Sequence, residues 1–215
     1  MSSVWDERAE AYRRSEEHRE GEDLELIVEW ARGAKTALDV ASGGGHVARR
    51  LRVLGVEVVT CDPSPGMQAD VLCRAESLPF ADGSFDVVTC RLAGHHFEDV
   101  RAGVAEMARV ARERVLLVDN LWMSEQGEEA NRLRDPSHVR NYTEAEWTSF
   151  FEDAGLEIED VRTMERAIRF DPWLERTGCT GDEAARVHKL LHDRIDDGFY
   201  RLERIALEAR KGRHA

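Results

Sequence analysis

LDVASGGGHV, residues 38–47, runs an apolar strand into an acid and then at once into a chain of small residues. In an open α/β sheet, ligands bind beyond the carboxyl ends of the strands, where strand order reverses. A glycine turn at such an edge lets the backbone approach a ligand closely. The helix that follows offers free N–H groups. Working outward from this stretch, apolar and β-branched runs recur: TALDV (36–40), VEVVT (56–60), ADVLC (69–73), SFDVVTC (84–90) and RVLLVD (114–119). Each is short and continuous, as strands buried on both faces should be. Helical stripes separate them. Leu24, Ile27, Val28 and Ala31 share a face that ends at Gly33, residues 45–54 read as a helix, and Val100, Val104, Met107, Ala108 and Ala111 form another stripe. This βαβ rhythm predicts an α/β, doubly wound, mostly parallel sheet with helices on both faces.

The C-terminal part has a different pattern. Thr143 and Glu146 form a capping-box pair ahead of Trp147, Phe150, Phe151 and Ala154, with Gly155 closing the helix. LEIEDV (156–161) alternates like an edge strand. Thr180 and Glu183 predict a capped helix bearing Ala184, Val187 and Leu191, and Ile205, Leu207 and Ala209 alternate as a last strand. The charge run EEHREGED (16–23) reads as a solvated helix start.

Composition narrows the partners. A net charge of −13 disfavours tracking a nucleic-acid backbone, because such affinity comes from clustered Lys and Arg that release counterions. A small-molecule partner is the expectation. No apolar run reaches the length of a membrane span, and the charged N-terminus lacks the apolar core of a signal peptide, so a cytoplasmic location is expected. Cys61, Cys73, Cys90 and Cys179 stand apart without a CxxC pair, which predicts reduced structural thiols and no metal site.

The two acids at the strand ends separate ligand classes. A dinucleotide would place its pyrophosphate at the helix after the glycine turn, where Asp39 would repel it. S-adenosylmethionine (SAM), which has no phosphate and carries ammonium and sulfonium charges, suits Asp39 better. Asp62, after the second strand, can accept both ribose hydroxyls of either ligand.

LDVASGGGHVA, VVTCDPSPGM and AESLPFADGSFDVVTCRLAGHHF, in this order and spacing, resemble the motifs of class I SAM-dependent methyltransferases, with closest likeness to the ubiquinone/menaquinone-biosynthesis branch (methyltransferase type 11). Trp5-Asp6, Ala9 and Tyr12 resemble a segment that folds over SAM in such enzymes, and RDPSHVRNYT (134–143) resembles a stretch after the fifth strand. The resemblance implies a seven-stranded Rossmann-like sheet with an antiparallel last strand. In the SAM site it implies, Asp39, Ala41, Ser42, Gly43 and Gly45 face the methionine end and Asp62 holds the ribose. Pro63 and Met67 flank the adenine, Ala75 and Glu76 lie at its polar edge, Arg91 and Leu92 line the sulfonium region, and Tyr12 covers the cofactor. The sequence departs from the pattern in four places. Ala41 replaces a common glycine, which is tolerable at an ordinary negative φ. Arg74 stands where an acid often receives the adenine amine. Too few residues separate Asp62 from Ala75 for a full helix and strand, which predicts a shallow adenine pocket. The usual lysine-proline-glycine-glycine turn before the fifth strand is missing.

Methyl transfer from a sulfonium is an in-line displacement, so placement supplies much of the rate and a base is needed only if the acceptor loses a proton. His95, His96 and His138 are the candidates. Asn120, Trp122, Arg140 and Tyr142 are candidate acceptor contacts. Residues 124–142 are expected to cover the acceptor with His138 and Arg140 pointing inward, favouring an anionic or acidic acceptor. A single domain is expected over residues 1–215: an N-terminal lid (1–33), a SAM-binding core (34–120), and acceptor-side insertions (121–155 and 171–196), in a monomer or homodimer. Two other readings stay open, a SAM-binding protein that does not catalyse and a nicotinamide-dependent oxidoreductase. The lack of a GxGxxG pattern disfavours the second.

Overall fold

A computed structural model describes residues 4–212, excepting the side chains of residues 4–7 and 16; the Trp5-Asp6 likeness falls on side chains outside that description. In chain order come α1 (Val4–Arg14), α2 (Glu16–Arg19), α3 (Glu22–Trp30), β1 (Thr36–Val40), α4 (His46–Val53), β2 (Glu57–Asp62), β3 (Val71–Leu72) and β4 (Phe85–Arg91). These are followed by α5 (Val100–Val110), β5 (Ala111–Asn120), α6 (Glu125–Arg134), α7 (Glu144–Asp153), β6 (Leu156–Arg169), α8 (Phe170–Glu175), α9 (Gly181–Leu190), β7 (Ile195–Asp196) and β8 (Phe199–Lys211). No helix of the described residues is long and apolar enough to cross a membrane.

The strands form one sheet in the order β3-β2-β1-β4-β5-β8-β6, with the two-residue β7 hydrogen-bonded to β8 as an eighth strand beside the expected seven. β1 to β5 run parallel, and β8 is antiparallel to both β5 and β6. Strand order reverses between β1 and β4, so the crevice opens at their carboxyl ends. The period-2 pattern sorts side chains to two cores. Ala37, Val87, Leu116 and Val118 pack under α3 and α4 with Leu24, Ile27 and Leu51. Leu38, Val88, Cys90 and Leu117 pack under α5 and α7 with Val104, Met107, Trp147 and Phe151. Period and register thus set which way Asp39 and Asp119 point: with Ala37 toward α4, and with Leu117 toward α5 and α7.

Several boundaries differ from the sequence reading. β6 extends to Arg169, well past residue 161, because it pairs with β8 throughout and its edge face carries charged side chains that mask the strand pattern. β3 shrinks to two residues, as the Asp70 carboxylate accepts from the Thr60 backbone N–H and hydroxyl just ahead of it. Thr180 makes no side-chain cap bond, so the cap expected with Glu183 does not form. The Thr143–Glu146 capping box is present. α5 passes directly into β5, which is why no turn sequence was found there. The run 16–23 is not a solvated start either: Asp23 is fully buried and bridges Arg91 and Arg204, and Glu17 bridges Arg176 and Arg204. Beyond the end of β5, the β6–β8 ribbon carries a third core in which α6, α8 and α9 bury Ala130, Trp173, Val187 and Tyr200.

Candidate active site

β1, β2 and β4 end at one cavity of about 490 Å³. The turn after β1 is built without side chains where it must be tight. Ser42 N–H donates to the Cys61 carbonyl (3.0 Å) and Gly45 N–H to that of Ser42 (2.8 Å). Ala41 holds φ 50, not the ordinary negative value expected of it, and Leu92, at the end of β4, holds φ 55. Left-handed backbone at a non-glycine residue costs about 1–2 kcal/mol. Here both strained residues line the cavity, consistent with strain collecting where a site needs shape. Gly43 also has a left-handed φ of 50, and a Cβ on it would meet nothing within 4 Å. Gly44 sits under α1, since a Cβ there would lie 2.9 Å from the Tyr12 carbonyl oxygen.

Asp39 and Asp62 flank this turn on the cavity wall. Asp62 accepts from Gly43 N–H (3.0 Å) and Ser64 N–H (2.9 Å), one on each carboxylate oxygen, which fixes its plane. Asp39 accepts from the Thr89 hydroxyl (2.9 Å) and Ala48 N–H (3.2 Å). Its burial nevertheless pushes its pKa up to about 6. Ala41, Ser42, Pro63, Met67, Ala75, Glu76, Arg91 and Leu92 line the same cavity. Gly45 does not. It is the left-handed N-cap of α4 (φ 69), so its part is in the turn. The Arg91 guanidinium is taken by Asp23 (2.7 Å) and the His18 carbonyl (2.9 Å). Arg74 bridges Glu76 and Glu98, while Glu76 also accepts Glu98 N–H (2.9 Å).

The N-terminal helices close one side. Tyr12 and His18 line the cavity, and His46 binds the Tyr12 carbonyl through Nε2 (3.0 Å). Arg13 donates to the Gly66 carbonyl (2.6 Å), pinning α1 to the turn before β3. His18 and His46 were missed in the sequence; the only signal was a histidine opening the helix after the glycine turn.

The three candidate histidines cluster, with ring centroids 4.1 Å apart for His95 and His96 and 5.5 Å for His95 and His138. They are not equivalent. Only His96 lines the cavity. His95 binds Asp119 through Nδ1 (2.5 Å) and His138 binds Glu128 through Nε2 (3.0 Å), both turned into a small polar space behind the wall. Burial lowers the pKa values of His96 and His138. His138 is buried beside His95 and His96, as expected, but it lines the polar space and not the cavity, and Arg140 does not point inward. Pro136, Ser137 and Val139 face the cavity, while in this extended stretch the alternate residues face away: Arg140 pairs with Glu146 (2.8 Å) and lies over the Tyr142 ring. Tyr142 is a core residue packed edge-on to Trp147 and Phe150. Trp122 is tied through its backbone to the Tyr142 carbonyl and does not line the cavity, and Asn120 accepts from Arg204 beside the polar space. None of 171–196 lines the cavity; that insertion packs against α6 and supports the wall from behind.

A family model described as a methyltransferase domain matches residues 38–118. The chain is 36% identical over 213 residues to the uncharacterized methyltransferase YcgJ of Bacillus subtilis (strain 168), covering 88% of this chain and 84% of that one. The solved YcgJ structure superposes with a TM-score of 0.80 at 29% identity, over 89% of this chain and 99% of that one. The Bacillus halodurans C-125 protein BH2331 gives 0.78 at 28% identity, over the same shares.

Proposed function

The chain belongs to the class I SAM-dependent methyltransferases, and from that premise we propose that the cavity binds SAM and that its methyl group passes to a small acceptor held against His96, Pro136, Ser137 and Val139. One observation carries the donor: two buried carboxyl groups, Asp39 and Asp62, flank a turn whose Gly43 presents bare backbone to the cavity. A diphosphate would meet these acids with both wall guanidiniums already paired, whereas an adenosine bearing cationic groups meets acceptors.

Bound there, SAM supplies an electrophilic methyl on a positively charged sulfur. The chain's own residues do the placing. Asp62 accepts the ribose hydroxyls, Asp39 and the turn face the methionine end, Pro63 and Met67 flank the base with Ala75 and Glu76 at its edge, and Arg91 and Leu92 border the reacting centre. Tyr12 and His18 exclude water from the N-terminal side. Holding an acceptor in line at about 3–3.5 Å supplies much of the rate. On this reading residues 1–33 are the lid, 34–120 the cofactor core, and residues 136–139 the part of the first insertion that meets the acceptor.

Calorimetric titration tests the donor. SAM and S-adenosylhomocysteine are expected to bind and to raise the melting temperature by mass action, and NAD and NADP to do neither. Binding of a nicotinamide cofactor with no response to SAM would end this reading.

A further inference from the structure

We propose that His46 is a positioning residue for the cofactor: its neutral ring ties the N-terminal lid to the glycine turn, and protonation of that ring frees the lid in acid. What this does to SAM rests on the SAM reading of the cavity. The tie itself belongs to the chain without ligand.

Both ring nitrogens of His46 are engaged, and their partners fix the tautomer. Nε2 lies 3.0 Å from the Tyr12 carbonyl oxygen, which can only accept, so Nε2 carries the hydrogen. Nδ1 lies 2.6 Å from Nη2 of Arg49, which can only donate, so Nδ1 keeps its lone pair. Arg49 also donates through Nη1 to the Gly44 carbonyl (2.7 Å). The hydrogen bonds thus run from the glycine turn through Arg49 and His46 to the last turn of α1. Gly44 makes room for this path, since a Cβ there would stand 2.7 Å from His46 Nε2 and 2.9 Å from the Tyr12 oxygen. The next lid residue, Arg13, holds the Gly66 carbonyl beyond β2 (2.6 Å). Tyr12 and Arg13 so pin α1 to both sides of the cavity. Of these two ties, the one at His46 is the one that titrates near neutral pH.

A positive charge on this ring is opposed by its surroundings. His46 is buried and opens α4, whose N-terminus is the positive end of the helix dipole. Arg49 acts on it from its own helix, Arg91 from β4 and Arg19 from α2, and the His18 ring of α2 stacks on it at 6.1 Å between centroids. The acids of the elements around it have other partners. Glu10 of α1 pairs with Arg13 and Arg14, Glu17 of α2 with Arg176 and Arg204, and Glu25 of α3 with Arg50. Asp39 of β1 accepts from Thr89 and Ala48, and Asp62 of β2 from Gly43 and Ser64. Burial and the nearby cations hold the His46 pKa below the ordinary imidazole value, against the pull of the Tyr12 carbonyl. An open lid restores the ordinary value. Opening therefore takes up a proton, and acid favours the open state by up to about tenfold per pH unit.

Thermolysin cleavage in the N-terminal helices of the unliganded protein tests the tie, with the rate at each pH divided by that of a peptide of residues 4–20. At pH 7.5, His46→Leu loses two hydrogen bonds and is expected to be cut about tenfold faster than wild type, and His46→Gln, which keeps a donor and an acceptor, within about threefold of it. A leucine variant cut no faster than wild type, or a glutamine variant cut as fast as the leucine one, overturns the proposal. Between pH 7.5 and 5.5 the wild-type rate should rise at least about threefold more than that of His46→Gln, a comparison in which His18 cancels; equal rises overturn it. Nitrogen-15 NMR of the wild type reads the tautomer: an Nε2–H ring is expected at pH 7.5, and an Nδ1–H ring overturns the proposal. Calorimetry with S-adenosylhomocysteine reads the consequence, about fivefold weaker binding to His46→Leu as the lid loses its tie; unchanged affinity overturns the positioning role. Failure of the wild type to bind S-adenosylhomocysteine at all would instead remove the SAM reading of the cavity and leave the cleavage rates to judge the tie.

Discussion

Asp39 and Asp62 stand on one cavity wall, and the difference between them lies in what holds them. Asp62 takes a backbone N–H on each oxygen, which fixes the plane of the carboxylate on the cavity wall. Asp62→Ala should weaken SAM by about 1.5–3 kcal/mol, the scale of hydrogen bonds to a charged group. Calorimetry on the folded variant reads this, and unchanged affinity would place the ribose elsewhere. Asp39 is buried with two weaker contacts, and folding raises its pKa from 3.8 to about 6. Between those values the native state binds more protons than the unfolded one, so this group's contribution to stability falls as pH rises through that window and is level above it. At about 1.4 kcal/mol per pH unit the loss is about 2–3 kcal/mol, and Asp39→Asn should remove that slope in urea unfolding between pH 4 and 7. A cationic ligand beside Asp39 favours the ionised form. SAM affinity should therefore climb between pH 5 and 7, with proton release seen by calorimetry in buffers of different ionisation enthalpy; a flat profile would separate Asp39 from the cationic end. The types of these two residues and their places at strand ends were legible in sequence. The left-handed φ of Ala41 was not, because it is imposed by the hydrogen bonds across the turn.

At the scale of elements, strands and helices showed themselves wherever burial imposed a period, as in β1, β4 and α5. The acceptor wall showed no such signal. Residues 136–139 follow no helix or strand period; they are held because Val139 and Arg140 N–H both donate to the His95 carbonyl, across more than forty residues of chain. The turn of residues 94–96 is placed in its turn by Asp119, at the end of β5, which accepts from the His95 backbone N–H (3.0 Å) as well as from its ring. Gly94 is what lets this turn approach. A Cβ there would stand 2.6 Å from the Trp147 ring and 2.9 Å from Asp119 Oδ2, both in fully buried side chains. Gly94→Ala should therefore cost about 1–3 kcal/mol, as overpacking does in a filled core, and displace the acceptor wall. Gly33→Ala is the comparison, since a Cβ there meets nothing within 4 Å and only its left-handed φ opposes the change. Chemical denaturation should show the larger loss at Gly94, and only that variant should alter the His96 resonances; the same effect from both would mean the close approach is not what the glycine provides.

Taken whole, the molecule is joined across its cavity by arginines that no local pattern announced. Arg8 reaches Asp135 (2.9 Å) and the Thr177 carbonyl (2.7 Å), which ties α1 to both insertions. Arg91 from β4 and Arg204 from β8 converge on Asp23 of α3, and Arg204 and Arg176 converge on Glu17 of α2. A charge run in sequence is ordinarily a solvated face, and only the folded chain shows that Asp23 is fully buried with Arg204 beside it at 2% exposure. Such a cluster adds little against an apolar replacement of the same shape, because desolvating the ions offsets their attraction, yet removing one member strands the others. Asp23→Ala leaves two buried guanidiniums with their shared carboxylate gone, so it should cost about 3–5 kcal/mol in urea unfolding. It should also loosen the lid, because Arg91 holds the His18 carbonyl at the cavity edge (2.9 Å). SAM affinity and protection of the N-terminal helices from protease should fall together. Glu10→Ala, which removes only half-exposed partners of Arg13 and Arg14, should leave stability within about 0.5 kcal/mol. If Asp23→Ala lowers stability while protease protection and SAM affinity stay at their wild-type values, the ion cluster holds the sheet to α3 without governing the lid.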